Sequence, residues 1–140
     1  MARLKFDYIK IGKYKRPIIP VQLSYQDNSV NTRALIDSGA DFNLFHIGIA
    51  DSLGIKFNRN KPITFSGVGD KKDSLKGYMA IASLLIFNKG QSISFETPII
   101  FTEQLPENGF ALLGEIGFFD HLQEIRFYYK NGKIILQDKT

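Results

Sequence analysis

Asp37 closes the apolar run Ala34-Leu35-Ile36 and is followed at once by Ser38-Gly39-Ala40. The pattern sets a carboxylate where a strand meets a loop at the edge of the core. The small residues after it let the backbone turn sharply and let another surface approach closely. Such a carboxylate must be neutralised, paired or exposed, because burying an unpaired charge costs several kcal/mol or more. Taken alone, Asp-Ser-Gly is also an ordinary turn. Other reactive groups are scarce. The chain has no cysteine, which excludes disulfides, thiolate metal sites and cysteine nucleophiles. His46 and His121 have no Asp or Glu at a ligand spacing, so neither a metal nor a cofactor is expected and both read as ordinary surface or interface residues.

Two further segments give Asp37 a context. "FSGVGD" places Gly67 and Gly69 around Val68 between strand-like stretches, the composition of a hairpin tip, and "FALLGEIGFFDHL" is an apolar run ending at Gly114 before a predicted helix. In this order and spacing the chain resembles the retropepsin-like aspartic proteases: apolar-apolar-Asp-Ser/Thr-Gly-Ala, a glycine-rich flap, then apolar-apolar-Gly. The resemblance spans roughly residues 16 to 128. It implies that Asp37 is the catalytic aspartate and that Ser38, Gly39 and Ala40 support its loop, with Ser38 hydrogen-bonding across to a partner loop. It implies that Ser66, Gly67, Val68 and Gly69 form the flap tip over an extended peptide and that Leu112-Leu113-Gly114 pack beside the catalytic turn, with 115 to 122 as the following helix. Asp41 falls among the substrate-binding positions. "KRPIIPVQL" is similar to the Arg-Pro-apolar strand of retroviral members, which puts Arg16 where it reaches a partner subunit.

The sequence departs from that pattern at two points. Retroviral members commonly carry Arg after the second motif, paired with an Asp four residues beyond the catalytic one; here Asp41 is present but Glu115 stands in place of the Arg. Asp41 therefore needs another cation, with the partner's Arg16 the first candidate and Arg33 the second. The flap tip also lacks a tyrosine.

The chemistry implied by the resemblance needs two carboxylates sharing one proton; the handling of such pairs is best known from pepsin and its relatives. One takes a proton from water while the other donates to the peptide carbonyl. No second copy of the motif exists in the chain: "GEIGFFD" lacks a following Ser/Thr-Gly, and "VGDKKDS" lacks the apolar approach. Activity thus requires a two-fold homodimer in which the two Asp37 carboxylates face each other. The function implied is an aspartic endopeptidase acting on extended polypeptide. The alternative is a catalytically idle, dimeric peptide-binding or regulatory module of the same fold. A basic nucleic-acid-binding barrel is a third class, and it would need aromatics interleaved with Lys and Arg on one strand face.

The elements that must position these residues are mainly strands. Apolar alternation with short turn signals predicts them at "RPIIPVQLSY", "NTRALID", "DFNLF", "KPITFSG", "LKGYMAIASLLIF", "QSISFETPIIF", "EIRFYY" and "KIILQ". Asn131-Gly132 signals a two-residue hairpin between the last pair. "HIGIADSLGI" predicts a short helix with Ile47, Ala50 and Leu53 inward and Gly54 as its left-handed cap. These signals predict one mainly β domain over residues 1–140 with one or two short helices, and the resemblance implies that it is a single-lobe acid-protease barrel.

Composition sets the bounds. With 140 residues, 44% hydrophobic and 23% charged, the chain can bury about two thirds of its unfolded surface. No apolar run is long enough to span a bilayer, and the N-terminus lacks a continuous apolar signal segment, so no membrane association and a cytoplasmic location are expected. A net charge of +4 raises the question of nucleic acid, but only Lys10, Lys13, Lys15 and Arg16 cluster, which reads as a solvated basic surface. Residues 1 to 15 and the closing "KNGKIILQDKT" are longer than the terminal strands of retroviral members, so a different arrangement of interface strands is expected.

Overall fold

A computed structural model describes residues 2–66, 74–105 and 109–139. Six strands, β4 (Ile18–Tyr25), β5 (Asn28–Ile36), β10 (Ala111–Leu113), β6 (Leu44–His46), β9 (Gln91–Thr102) and β8 (Ser74–Asn88), close in that order into a barrel, β8 pairing back on β4. β4 (Ile18–Tyr25) turns its Ile19, Val21 and Leu23 into the core and pairs antiparallel with β5 (Asn28–Ile36) from Ile18↔Leu35 to Tyr25↔Asn28. A two-residue loop joins them, and Gln26 takes φ 52° there. β5 lies parallel to β10 (Ala111–Leu113), which meets β6 (Leu44–His46) at Leu112↔Leu44. β6 runs parallel to β9 (Gln91–Thr102), β9 antiparallel to β8 (Ser74–Asn88), and β8 returns to β4 through Gln22↔Leu85. Closure removes the free edges that an open sheet of these apolar strands would expose. β7 (Ile63–Ser66) extends from β8 through Ile63↔Gly77. The mainly β architecture is thus what the alternation predicted, and the single-lobe barrel is what the resemblance implied.

The helix α1 (Ile47–Leu53) is also as read. Ile47, Ala50 and Leu53 are buried, and Gly54 caps the end at φ 78° with its N–H on the Ala50 and Asp51 carbonyls. His46 caps the start, its Nδ1 accepting from Gly48 N at 3.0 Å. The second helix differs. Within 115–122 only Phe119–His121 forms a helical turn, a single 3-10 turn, and Leu122 already starts β11 (Leu122–Tyr128). Gly117 at φ 107° and Phe118 at φ −133° lie outside the helical region, and the Gly117 carbonyl is taken by Asn43 and Thr97 rather than by a helical N–H.

The N-terminal end of the chain holds strands that the expectation omitted, and the first of them joins the predicted C-terminal pair. β1 (Arg3–Asp7) pairs antiparallel with β12 (Lys133–Asp138), which also pairs with β11, making a three-stranded sheet. Leu4, Phe6, Ile134 and Leu136 carry this sheet into the main core. The β11–β12 connection has four residues, Tyr129 to Gly132, rather than two. Gly132 adopts φ 68° and donates to Tyr129 O, while Asn131 does not take a positive φ. β2 (Ile9–Ile11) and β3 (Tyr14–Arg16) form a separate two-stranded hairpin, and the four clustered cations lie on it. Among the described residues no helix is long and apolar enough to cross a membrane.

Candidate active site

The turn that carries Asp37 is built from two parallel strand ends. β5 and β10 run side by side through Ile36↔Leu113, and the Asp37 N–H adds one more bond to the Leu113 carbonyl at 3.0 Å. Past that point the chains diverge. Asp37 Oδ1 accepts from Gly39 N at 2.8 Å, an Asx turn, and Asp37 O accepts from Ala40 N at 3.1 Å. Among the described residues Oδ2 has no hydrogen-bond partner, which leaves one carboxylate oxygen for other chemistry. Asp37 is half-buried and Ser38 and Gly39 are exposed, while Ala40 is buried over a small cluster of Leu44, Ile100 and Leu112. In a single chain the carboxylate is thus half-buried at the edge of the core, as the sequence pattern suggests, and is held by the turn.

The segment after β10 braces this turn. Glu115 N donates to Ala40 O at 2.9 Å, Ile116 N donates to Asp41 O at 2.8 Å, and Phe42 and Ile116 form a parallel bridge. Gly114 is obligatory here, because a Cβ on it would lie 2.5 Å from Phe42 O and 2.7 Å from Ala40 O. Behind the turn, Asn43 is fully buried and ties the segment after β10 to β9. Its Oδ1 accepts from Gly114 N at 3.1 Å, and its Nδ2 donates to Gly117 O at 2.9 Å and reaches Pro98 O at 3.4 Å. Thr97 Oγ1 donates to the same Gly117 carbonyl at 2.5 Å. Asn43 and Thr97 were absent from the candidate residues. The one signal for Asn43 was an amide inside the apolar run "DFNLF".

The structure brings Asp37, Ser38, Gly39, Ala40, Leu112, Leu113 and Gly114 together. Ser66 ends β7, whereas Gly67, Val68 and Gly69 lie outside the described residues. Asp41 and Glu115 are both exposed on adjoining loops. Among the described residues the ion pairs are Arg59–Asp51, Arg126–Glu124 and Lys133–Asp7, so neither Arg16 nor Arg33 pairs with Asp41 within one chain. Arg16 instead lies over the Tyr14 ring at 4.8 Å. The two histidines have other roles: His46 caps α1, and His121 stacks on Phe95 with centroids 4.2 Å apart. Among the described residues no three His, Cys, Asp or Glu gather as a metal site.

No protein-family model matches the chain, and no curated protein matches it. Solved structures do. One is the crystal structure of a retropepsin-like aspartic protease from Rickettsia conorii, with 15% identity and a TM-score of 0.56, covering 96% of this chain and 89% of that one. Another is EIAV protease complexed with the inhibitor HBY-793, with 20% identity and a TM-score of 0.42, covering 76% of this chain and 88% of that one. With its barrel, its Asp37 turn and its bracing Gly114 segment, the chain has the single-lobe fold of the retropepsin-like aspartic proteases.

Proposed function

We propose that the protein is an aspartic endopeptidase that works as a two-fold homodimer, the Asp37 carboxylates of the two copies forming one site. The observation that carries this reading is the Asp37 turn itself. It presents a half-buried carboxylate whose Oδ1 is fixed by Gly39 N at 2.8 Å and whose Oδ2 is unbonded among the described residues, on a retropepsin-like barrel. One such turn supplies half of an acid–base pair. Two of them facing each other share a proton, because two carboxylates in contact do not both ionise easily. The ionised partner removes a proton from water, whose oxygen attacks the peptide carbonyl carbon. The protonated partner donates to the carbonyl oxygen, giving a neutral tetrahedral diol; its collapse breaks the C–N bond as a proton passes to the amine. No covalent bond to the enzyme forms. Arg16 of one copy serves as the cation for Asp41 of the other in this reading.

In this reading the substrate is an extended polypeptide held through its backbone and read by apolar side-chain pockets. The alternative of an idle dimeric module of this fold is separated by the same assay. Incubation with a randomised peptide pool from acidic to neutral pH should give cleavage by the wild-type chain. Asp37→Asn should lower the rate by roughly 10²–10⁴-fold. Unchanged cleavage in Asp37→Asn removes Asp37 from the mechanism, and absence of cleavage from both chains supports the idle module.

A further inference from the structure

The β2–β3 hairpin is a two-stranded sheet of its own, and such ribbons are at best marginally stable without something packed on them. Its two faces differ. The register Ile9↔Arg16 and Ile11↔Tyr14 puts Ile9, Ile11, Tyr14 and Arg16 on one face, and Lys10↔Lys15 puts the two lysines on the other. The lysine face has a partner in the same chain: Lys15 Nζ donates to Tyr129 O at 2.5 Å and sits 4.2 Å from the centre of the Tyr129 ring. Among the described residues the outer part of the other face is exposed, while Ile9 is half-buried. Ile11 is 40% and Tyr14 58% exposed, a combination of aromatic, aliphatic and arginine side chains typical of the energetic centre of an interface.

The hairpin also stands next to the catalytic turn. Arg16 leads directly into Pro17, whose carbonyl accepts from Ile36 N at 2.9 Å, one residue before Asp37. On the far side of that turn lies a surface of complementary character. Ile116 is 48% exposed between the exposed carboxylates of Glu115 and Asp41, and Ile116 N is bonded to Asp41 O. One surface is apolar and cationic, the other apolar and anionic, and both border the residue that must meet its own copy. The terminal strands β1 and β12 pair with each other inside one chain, along the full register from Arg3↔Gln137 to Asp7↔Lys133.

We infer that the β2–β3 hairpin is the clasp between two copies of this chain: its Ile11, Tyr14 and Arg16 seat on the Asp41–Ile116 surface of the other copy. This rests on the homodimer reading above. The clasp is reciprocal, as a two-fold interface requires, and it couples association to the position of Asp37 through Pro17.

The absence of native cysteine permits a direct test. Tyr14→Cys and Ile116→Cys chains are prepared separately, mixed and oxidised. A disulfide-linked dimer of one chain of each kind should form at least tenfold faster than a linked dimer of either chain alone. Sedimentation equilibrium supplies the second arm. Ile11→Ser with Tyr14→Ser should raise the dimer dissociation constant tenfold or more while the circular dichroism spectrum of the monomer is unchanged. Arg16→Glu should also weaken the dimer, and adding Glu115→Arg should restore it. A wild-type chain that dimerises and cleaves while all of these variants behave as wild type overturns the clasp alone. A wild-type chain that stays monomeric overturns both the clasp and the dimeric reading.

Discussion

At the scale of single residues, Gly114 and Asn43 fix the Asp37 turn. Gly114 gives the clearest prediction, since a Cβ added there would lie 2.5 and 2.7 Å from the backbone carbonyl oxygens of Phe42 and Ala40, which cannot rotate away. Gly114→Ala should cost about 3 kcal/mol by overpacking, or displace the turn outright, and urea unfolding reads either outcome. Asn43 acts from behind. Its amide is oriented by its partners, oxygen toward Gly114 N and nitrogen toward the Gly117 and Pro98 carbonyls. Asn43→Ala leaves the Gly114 N–H buried without an acceptor, a loss of about 1–3 kcal/mol. Asn43→Asp keeps the acceptor but turns a second carboxylate oxygen toward two carbonyls, so it should lose at least as much at neutral pH. Equal stability of Asn43→Asp and the wild type in urea would contradict this network. Asp37 and Gly114 were legible in the sequence because each ends an apolar run with a residue that run does not need. Asn43 was not, because one polar residue in a strand reads as outward-facing until the strand on its far side is known.

At the scale of elements, legibility followed periodicity and failed where a local conformation or an exposed strand broke it. Helix α1 was readable because Ile47, Ala50 and Leu53 keep helical spacing and Gly54 supplies the stop at φ 78°. An alanine at that positive φ is strained, so Gly54→Ala should lower stability by about 1 kcal/mol, measured as a fall in melting temperature. The segment 115–122 was misread because its apolar residues also suit a helix, whereas a positive-φ glycine and a carbonyl already claimed by Asn43 and Thr97 interrupt it. β1 was missed for the opposite reason: "RLKFD" alternates as a strand should, yet its charges resemble those of a solvated end. One of those charges permits a pH prediction. Asp7 is hydrogen-bonded to the Lys133 ammonium on the next strand, which holds its carboxyl below the ordinary value of 3.8. A carboxylate lowered in the folded state contributes stability above its ordinary value and loses it as pH falls through the lowered one. Asp7→Asn should therefore melt slightly below the wild type at neutral pH, and the difference should vanish in acid. Because the pair is exposed, it should also shrink in high salt.

At the scale of the whole molecule, the decisive feature is where the terminal strands go. Were β1 and β12 free to pair only with a second copy, the barrel would fold without them and truncation would yield a stable monomer. Here β1 pairs with β12 in the same chain, Leu4 and Phe6 are buried in the main core, and they cover Ile134 and Leu136, which are fully buried themselves. Burying a leucine and a phenylalanine contributes about 1.5–3 kcal/mol each. The sum of about 3–6 kcal/mol is a large share of the 5–15 kcal/mol typical of a domain, before the lost strand pairing is counted. A chain lacking residues 2–7 should therefore lose more than half of its unfolding free energy in urea, or fail to fold at all. By contrast, Ile11→Ser with Tyr14→Ser, on the exposed part of the hairpin face, should leave that free energy within about 0.5 kcal/mol of the wild type at monomer concentrations. The pair of measurements divides the N-terminal region into one strand that builds the subunit and one hairpin that its stability does not need. A truncated chain with an unchanged urea midpoint would remove β1 from the packing that stabilises the subunit.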